Sequence, residues 1–283
     1  MNYTEVNLDL QSVAKRIYDS LLYRSQFYKM LNPNFIGELR NAGTPMIEIL
    51  KSNDTTVNVR KTKEITTALT PALQGYSSVK VDLTALPMDY SIRIPVLVAG
   101  SNFENVLEDA MDKKDQAVAK QIDTYGFGML ASDTDITTAT WNPTTKDEYV
   151  STLNTLKATL FNANVYEGYR LALSATEYAN LVSALTTLLH FETEVGVKGV
   201  DMGTVSEAYG IEIFPVNDTI IGADQKGYFY SNLAIVGDSF FDSMVVYNGN
   251  YPGFPGYFVI ESNILFGAKV VQANAIKKLV TGA

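Results

Sequence analysis

Apolar residues recur at helical spacing near the start of the chain. Leu10, Val13, Ile17, Leu21 and Leu22 mark one stripe of a helix expected over Leu8 to Leu31. Asn32, Pro33 and Asn34 end it, and a short helical turn is expected near Phe35 to Leu39. Nothing in the first 50 residues looks able to close a core of its own, so the segment reads as an arm. From Thr55 to Leu83 the period changes to two. Val57 and Val59 alternate with polar neighbours, then Val79, Val81 and Leu83 do so, with Pro71 and Gly75 between. That is the pattern of a long β-hairpin. Two strands alone are marginal in water, so the hairpin needs a surface to lean on. Tyr90, Ile92 and Ile94 continue as a strand into the body.

The clearest helix is expected over Ser101 to Ala131. Ser101 and Glu104 have capping-box spacing, which would satisfy free N–H groups at the helix start. Leu107, Met111, Val118, Ile122, Tyr125 and Met129 mark its apolar face, with Glu108, Asp112, Lys113 and Asp115 on the other. Its length is about 40 Å, and Gly126 and Gly128 weaken its last turns. Thr145 with Glu148 opens a helix to Asn162, and Ser174 with Glu177 opens one to about Leu189. Strands are expected at Val165 to Leu173, Ile211 to Val216, Gly227 to Ile235 and Met244 to Tyr247. Pro252, Gly253, Pro255 and Gly256 make Asn248 to Gly256 a strong break, and strands Phe258 to Ser262 and Ala268 to Ala273 follow. Runs of strands and helices without strict alternation give an α+β class, a central body split around an inserted lobe.

The 283 residues carry 22 Lys plus Arg against 31 Asp plus Glu, a net charge of −9. A protein that grips a phosphate backbone needs a basic stripe, and the densest basic patch here is Arg60, Lys61 and Lys63, followed at once by Glu64. Direct nucleic-acid binding is therefore not expected. Charged residues are 19% of the chain, below the usual quarter, as befits a subunit that hides much of its surface against neighbours. Cysteine is absent, which removes disulfides, thiol nucleophiles and thiolate metal sites. Met1 to Leu10 lacks the basic-then-apolar order of a signal peptide. The longest apolar run, Ile94 to Gly100, falls far short of the roughly 20 residues that cross a bilayer. A soluble protein made in a cytoplasm, with no membrane partner, is the expectation.

No catalytic constellation stands out. His190 is the single histidine and sits in a helix tail beside Phe191, so a structural role is read. Gly126-Phe127-Gly128-Met129-Leu130-Ala131 fits a dinucleotide-binding pattern by letter, but it closes a helix where that motif must open one. Asp133 and Asp135 lie in a polar loop without the spaced ligands of a calcium site. Glu104, Glu108 and Asp112 form a stripe read as solvated or subunit-facing. No cofactor or metal is expected. An acidic hydrolase would lack a nucleophile and base, and a carbohydrate-binding module has only the 17 tyrosines in its favour.

The order of these elements resembles the major capsid proteins of tailed bacteriophages with the Hong Kong 97-like fold. Tyr90 to Gly100 leading into Asn102 to Glu108, with Ala119 to Asp123 further on, resembles the strand and spine helix of the peripheral domain. Arg170 to Leu181 resembles the strand-then-helix of the axial domain, Gly203 to Asn217 the strand pair after it, and Phe266 to Leu279 the strand returning to the peripheral domain. The resemblance implies an N-terminal arm at 1–49, an extended hairpin (the E-loop) at 50–87, a peripheral domain at 88–145 and 248–283 with its spine helix at 101–131, and an axial domain at 146–247. It implies a non-enzymatic subunit that assembles with itself, as pentamers and hexamers, into an icosahedral head shell around double-stranded DNA that it does not bind specifically. The location implied is the virion, after assembly in the host cytoplasm. A separate scaffolding protein, a portal and a decoration protein are further partners of such shells; no long helical segment ahead of the arm points to a fused scaffold. The implied contact residues lie in the hairpin: Val57, Val59, Arg60, Lys61, Lys63 and Glu64. Some relatives crosslink a hairpin Lys to a neighbour's Asn, but no motif identifies such a pair here. An encapsulin-type bacterial nanocompartment shell is the alternative within the same fold.

Overall fold

The computed structural model describes residues 10–36, 46–52, 76–96, 102–186, 197–198, 207–222 and 224–282. In chain order these form α1 (Leu10–Arg24), a 3-10 turn at Tyr28–Met30, β1 (Met46–Ser52), β2 (Tyr76–Asp82), a 3-10 turn at Leu83–Ala85 and β3 (Leu86–Pro95). Next come α2 (Phe103–Ser132), β4 (Thr137–Thr140), α3 (Lys146–Asn162), β5 (Tyr169–Ser174) and α4 (Ala175–Thr186). β6 (Val197–Lys198), β7 (Glu207–Ala208), β8 (Ile211–Val216), α5 (Asp218–Ile221) and β9 (Gln225–Ser231) follow, then β10 (Ile235–Tyr251), β11 (Phe254–Val270) and β12 (Ile276–Val280). Among the described residues the strands make three sheets: the pair β1-β2, the three-stranded β10-β11-β3, and the seven-stranded β4-β12-β9-β5-β8-β7-β6. Helices packed on separate sheets define an α+β fold.

The spine helix α2 has 30 residues and is about 45 Å long. It crosses the three-stranded sheet, on whose inner face Tyr90, Ile92 and Ile94 alternate with exposed neighbours. Phe258, Ile260, Ile264 and Phe266 of β11 complete that face. Phe103 meets Phe258 edge-on at 5.3 Å, and Tyr125 meets Phe266 at 6.0 Å. The helix starts later than its capping signal implied. Asn102 stands at the N-cap with no side-chain capping bond, which puts Glu104 one residue too early to reach back; Ser101 lies outside the described residues. The polar face also needs correction, since Asp115 is fully buried. Gly126 has a packing reason: a Cβ there would stand 2.3 Å from the ring of Phe27. Gly126 and Gly128 are helical backbone in the last two turns, not a nucleotide-binding turn.

In the seven-stranded sheet β5 runs between β9 and β8 and is buried on both faces, as an interior strand flanked on both sides must be. It starts at Tyr169, later than the expected Val165. Asn164 and Gly168 take positive φ (62° and 69°) and turn the chain out of α3 first. The capping box of α3 is formed: Glu148 accepts from the amides of Thr145 (3.0 Å) and Thr144 (2.7 Å). These bonds hold its carboxyl down at about 2. Only half of the α4 box forms. Ser174 Oγ accepts from the Glu177 amide (3.3 Å), but the Glu177 carboxylate turns away to the indole N–H of buried Trp141 (3.3 Å) and to Lys226 (3.0 Å).

Two differences follow from long-range pairing. β10 and β11 are each 17 residues and pair along nearly their whole length, so the expected break at Asn248 to Gly256 narrows to Pro252 and Gly253. β12, not read as a separate strand, inserts between β4 and β9. The closing residues therefore join the seven-stranded sheet, while β10 enters the three-stranded one from Ile235.

Candidate assembly surfaces

Three buried carboxylates lie beneath the N-terminal segment. On α2, Asp123 accepts from Ser25 Oγ (2.5 Å) and from the amides of Gln26 (3.2 Å) and Phe27 (2.9 Å). These bonds bend the backbone away from helix, which is why α1 ends at Arg24 and not near Leu31. On β10, Asp238 accepts from the hydroxyls of Tyr18 (3.4 Å) and Tyr28 (3.3 Å) and from the Ser239 amide (2.8 Å). Asp115 accepts from the Tyr90 hydroxyl (2.8 Å). Burial pushes the Asp115 and Asp123 carboxyls above the ordinary carboxylate value, and burial raises the hydroxyls of Tyr28 and Tyr90 as well. Val13, Ile17, Leu21, Phe27, Tyr28, Met30 and Leu31 are buried in the main core of their own chain. The segment over residues 10–36 thus differs from a free arm: it covers the junction of spine helix and sheet in its own subunit.

Sequence reading missed these acids, although a signal was present. Asp115 lies four residues after Met111 and three before Val118, on the apolar stripe itself. The acidic stripe of Glu108 and Asp112 faces solvent and is met there by α1: Arg16 approaches both (3.6 and 3.5 Å) and Arg24 meets Asp112 (3.2 Å). These exposed pairs orient α1 and add little stability.

The hairpin stem is rooted in the body. β1 and β2 pair from Met46↔Asp82 to Ser52↔Tyr76. At their base Ile47, Val81 and Leu83 pack on Val236 in an apolar cluster separate from the main core. The Asp82 carboxylate caps the turn that follows, accepting from the Thr84 amide (2.8 Å) and hydroxyl (2.7 Å). Val57, Val59, Arg60, Lys61, Lys63 and Glu64 lie outside the described residues, as does His190.

Asp133 takes the Asp135 amide (2.9 Å) in a local turn, and its backbone carbonyl accepts from Lys278 Nζ. Among the described residues no group of three or more His, Asp or Glu side chains is placed to hold a metal ion, and no helix is long and apolar enough to cross a membrane. Large apolar side chains do reach the surface. Tyr23 on α1 is 82% exposed, and Phe161 in the last turn of α3 and Tyr166 just after it are 55% and 59% exposed, their rings edge-on at 4.8 Å.

No protein-family model matches the sequence, and no curated protein does. Solved structures do match in fold. A chain of the capsid of Cyanophage P-SCSP1u superposes with a TM-score of 0.59 at 14% identity, with 84% of each chain covered. A chain of Mycobacterium phage Che8 gives 0.59 at 14% identity, with 90% of each covered. The virus-like particle from Pyrococcus furiosus gives 0.54 at 11% identity, covering 96% of this chain and 99% of that one. The fold is thus Hong Kong 97-like and α+β over most of the chain.

Proposed function

We propose that this chain is the major capsid protein of a tailed bacteriophage, a structural subunit and not an enzyme, which assembles with itself into a closed icosahedral shell. The observation that carries the reading is a capsid fold extending over nearly the full length of both this chain and the phage chains it superposes on. The exposed aromatic rings at Tyr23, Phe161 and Tyr166 agree with a subunit that meets neighbours. So does the logic of repeated heterologous contacts, which close into rings and shells.

In this reading the three-stranded sheet with the spine helix is the peripheral domain and the seven-stranded sheet the axial domain, so the bounds 88–145, 146–247 and 248–283 shift: β4 and β12 go to the axial side and the start of β10 to the peripheral one. Pentamers and hexamers build the shell. The hairpin residues Val57, Val59, Arg60, Lys61, Lys63 and Glu64 reach a second copy. The net charge of −9 keeps the packaged double-stranded DNA unbound by any specific contact. Assembly takes place in the host cytoplasm with a portal and a separate scaffolding protein, and a decoration protein can follow. The nanocompartment shell is the less favoured reading.

Electron microscopy of purified protein, with and without factors from a phage lysate, tests the proposal. Hollow particles of uniform size are expected. A stable monomer at high concentration under both conditions would overturn it, and particles that hold a cargo protein in place of DNA would move the reading to the nanocompartment.

A further inference from the structure

The base of the hairpin lies against β11 at a position with no side chain. A Cβ on Gly267 would stand 1.9 Å from the backbone carbonyl oxygen of Asp82 and 2.7 Å from the Cα of Leu83. The first distance is about 1.5 Å short of ordinary contact, and the obstacle is backbone, which cannot rotate out of the way as a side chain can. The surroundings leave that backbone little freedom. Asp82 is locked by its own cap on Thr84. Leu83 is fully buried against Val236. Behind Gly267, its partner Asp238 on β10 is held by Tyr18 and Tyr28.

Beyond the base, the stem has room beside it. Ile49 and Val79, paired across the stem, line an apolar groove of about 160 Å³ together with Phe35, Leu233, Val236 and Val271. The stem is thus packed at its base, and midway along it Ile49 and Val79 border open space. β2 extends about 20 Å from that end, so a small displacement at the base is magnified at the far end.

We propose that Gly267 is a positioning residue for assembly: by carrying no side chain it lets the hairpin base lie on β11, and so sets the angle at which the hairpin leaves the body. This rests on the reading of the chain as a shell subunit, in which that angle decides where the hairpin meets a second copy and how sharply the shell curves.

The chain contains no cysteine, so paired spin labels can be placed without background. Ser78→Cys puts one label on the exposed stem and Thr124→Cys the other on the exposed side of α2. Pulsed electron paramagnetic resonance of the unassembled subunit then reads the distance between stem and spine helix. Gly267→Ala is expected to shift the mean of that distance with circular dichroism and Trp141 fluorescence unchanged, and to abolish particles or change their diameter. Leu83→Ala empties the apolar base and is expected to broaden the distribution. An unshifted distance in folded Gly267→Ala subunits overturns the inference. If that variant does not fold, Leu83→Ala decides, a broadened distribution supporting the pivot and an unchanged one overturning it. If the unsubstituted protein forms no particles, the shell reading fails, and the distance measurement still settles the pivot.

Discussion

The ring of Phe27 occupies the space where a side chain at Gly126 would stand, with its Cγ 2.3 Å from that hypothetical Cβ. The ring also meets Phe127 edge-on at 5.7 Å and Phe266 at 6.2 Å. The N-terminal segment is thus keyed into the spine helix by one aromatic side chain over one glycine. Gly126→Ala gains helix propensity of about 1 kcal/mol but forces the ring out of its place, and the overpacking wins because all three partners are fully buried or helical. A net loss of about 1–3 kcal/mol is expected in urea unfolding followed by Trp141 fluorescence. Phe27→Ala costs about 3–5 kcal/mol. The double variant should lose less than the sum of the two, since the clash disappears with the ring.

Asp123 holds the turn after α1 through one hydroxyl and two amides. Asp123→Ala leaves three donors without their acceptor and should cost about 2–4 kcal/mol. Asp123→Asn keeps an acceptor oxygen and should cost less. Amide hydrogen exchange at Gln26 and Phe27 should accelerate in the alanine variant before exchange in the seven-stranded sheet changes. Uniform acceleration across the chain would contradict this local role.

The buried acids also set a pH dependence. Burial holds the folded-state carboxyls of Asp115 and Asp123 above their ordinary value of 3.8, so the folded form binds protons more tightly than the unfolded chain. Their contribution to stability therefore increases as pH falls from above the folded values toward 3.8. Glu148 acts in the opposite sense: its folded value of about 2 lies below the ordinary 4.5, so its contribution is lost as pH falls between those two. Asp123→Asn should flatten the slope above 3.8 and leave the acid limb intact. Urea unfolding across that range measures both.

The root of the hairpin decides where it can be cut. Val81 and Leu83 are buried in their own body, so removing residues up to 83 would damage the subunit itself. Replacing only residues 53–75 by a short Gly/Ser linker keeps the β1-β2 stem and its base. The subunit is expected to stay folded by circular dichroism and to lose assembly by sedimentation. A variant that still builds normal particles would remove the hairpin contact from the proposed function.

Local patterns made part of this molecule legible. The period of the spine helix, the alternation of Tyr90, Ile92 and Ile94, and the spacing of Thr145 with Glu148 each act within a few residues, and each appears in the structure. What stayed hidden depends on partners far away in sequence. Asp115 reads as a surface residue, and Asp123 as one more position of the spine helix, until Tyr90 and the turn after α1 are brought against them. β10 reads as short because Asp238, Ser239 and Ser243 interrupt its apolar alternation, yet pairing with β11 carries it through all three. The segment that looked like an unsupported arm buries its stripe because the spine helix and β10 lie beneath it. The contact residues assigned to the hairpin fall outside the described residues and stand on the resemblance alone.

The place of β12 has a consequence for how the chain comes together. Thr137–Thr140 pairs, among the described residues, with Lys277–Val280 and no other strand, and the same segment fills the edge of β9. β4 must therefore wait, unpaired, while more than a hundred residues downstream are synthesised, and until then the lobe presents an open flank. Closure over so long a loop is intrinsically slow. The lobe is accordingly among the last parts of the described fold to close, however early its other strands are made.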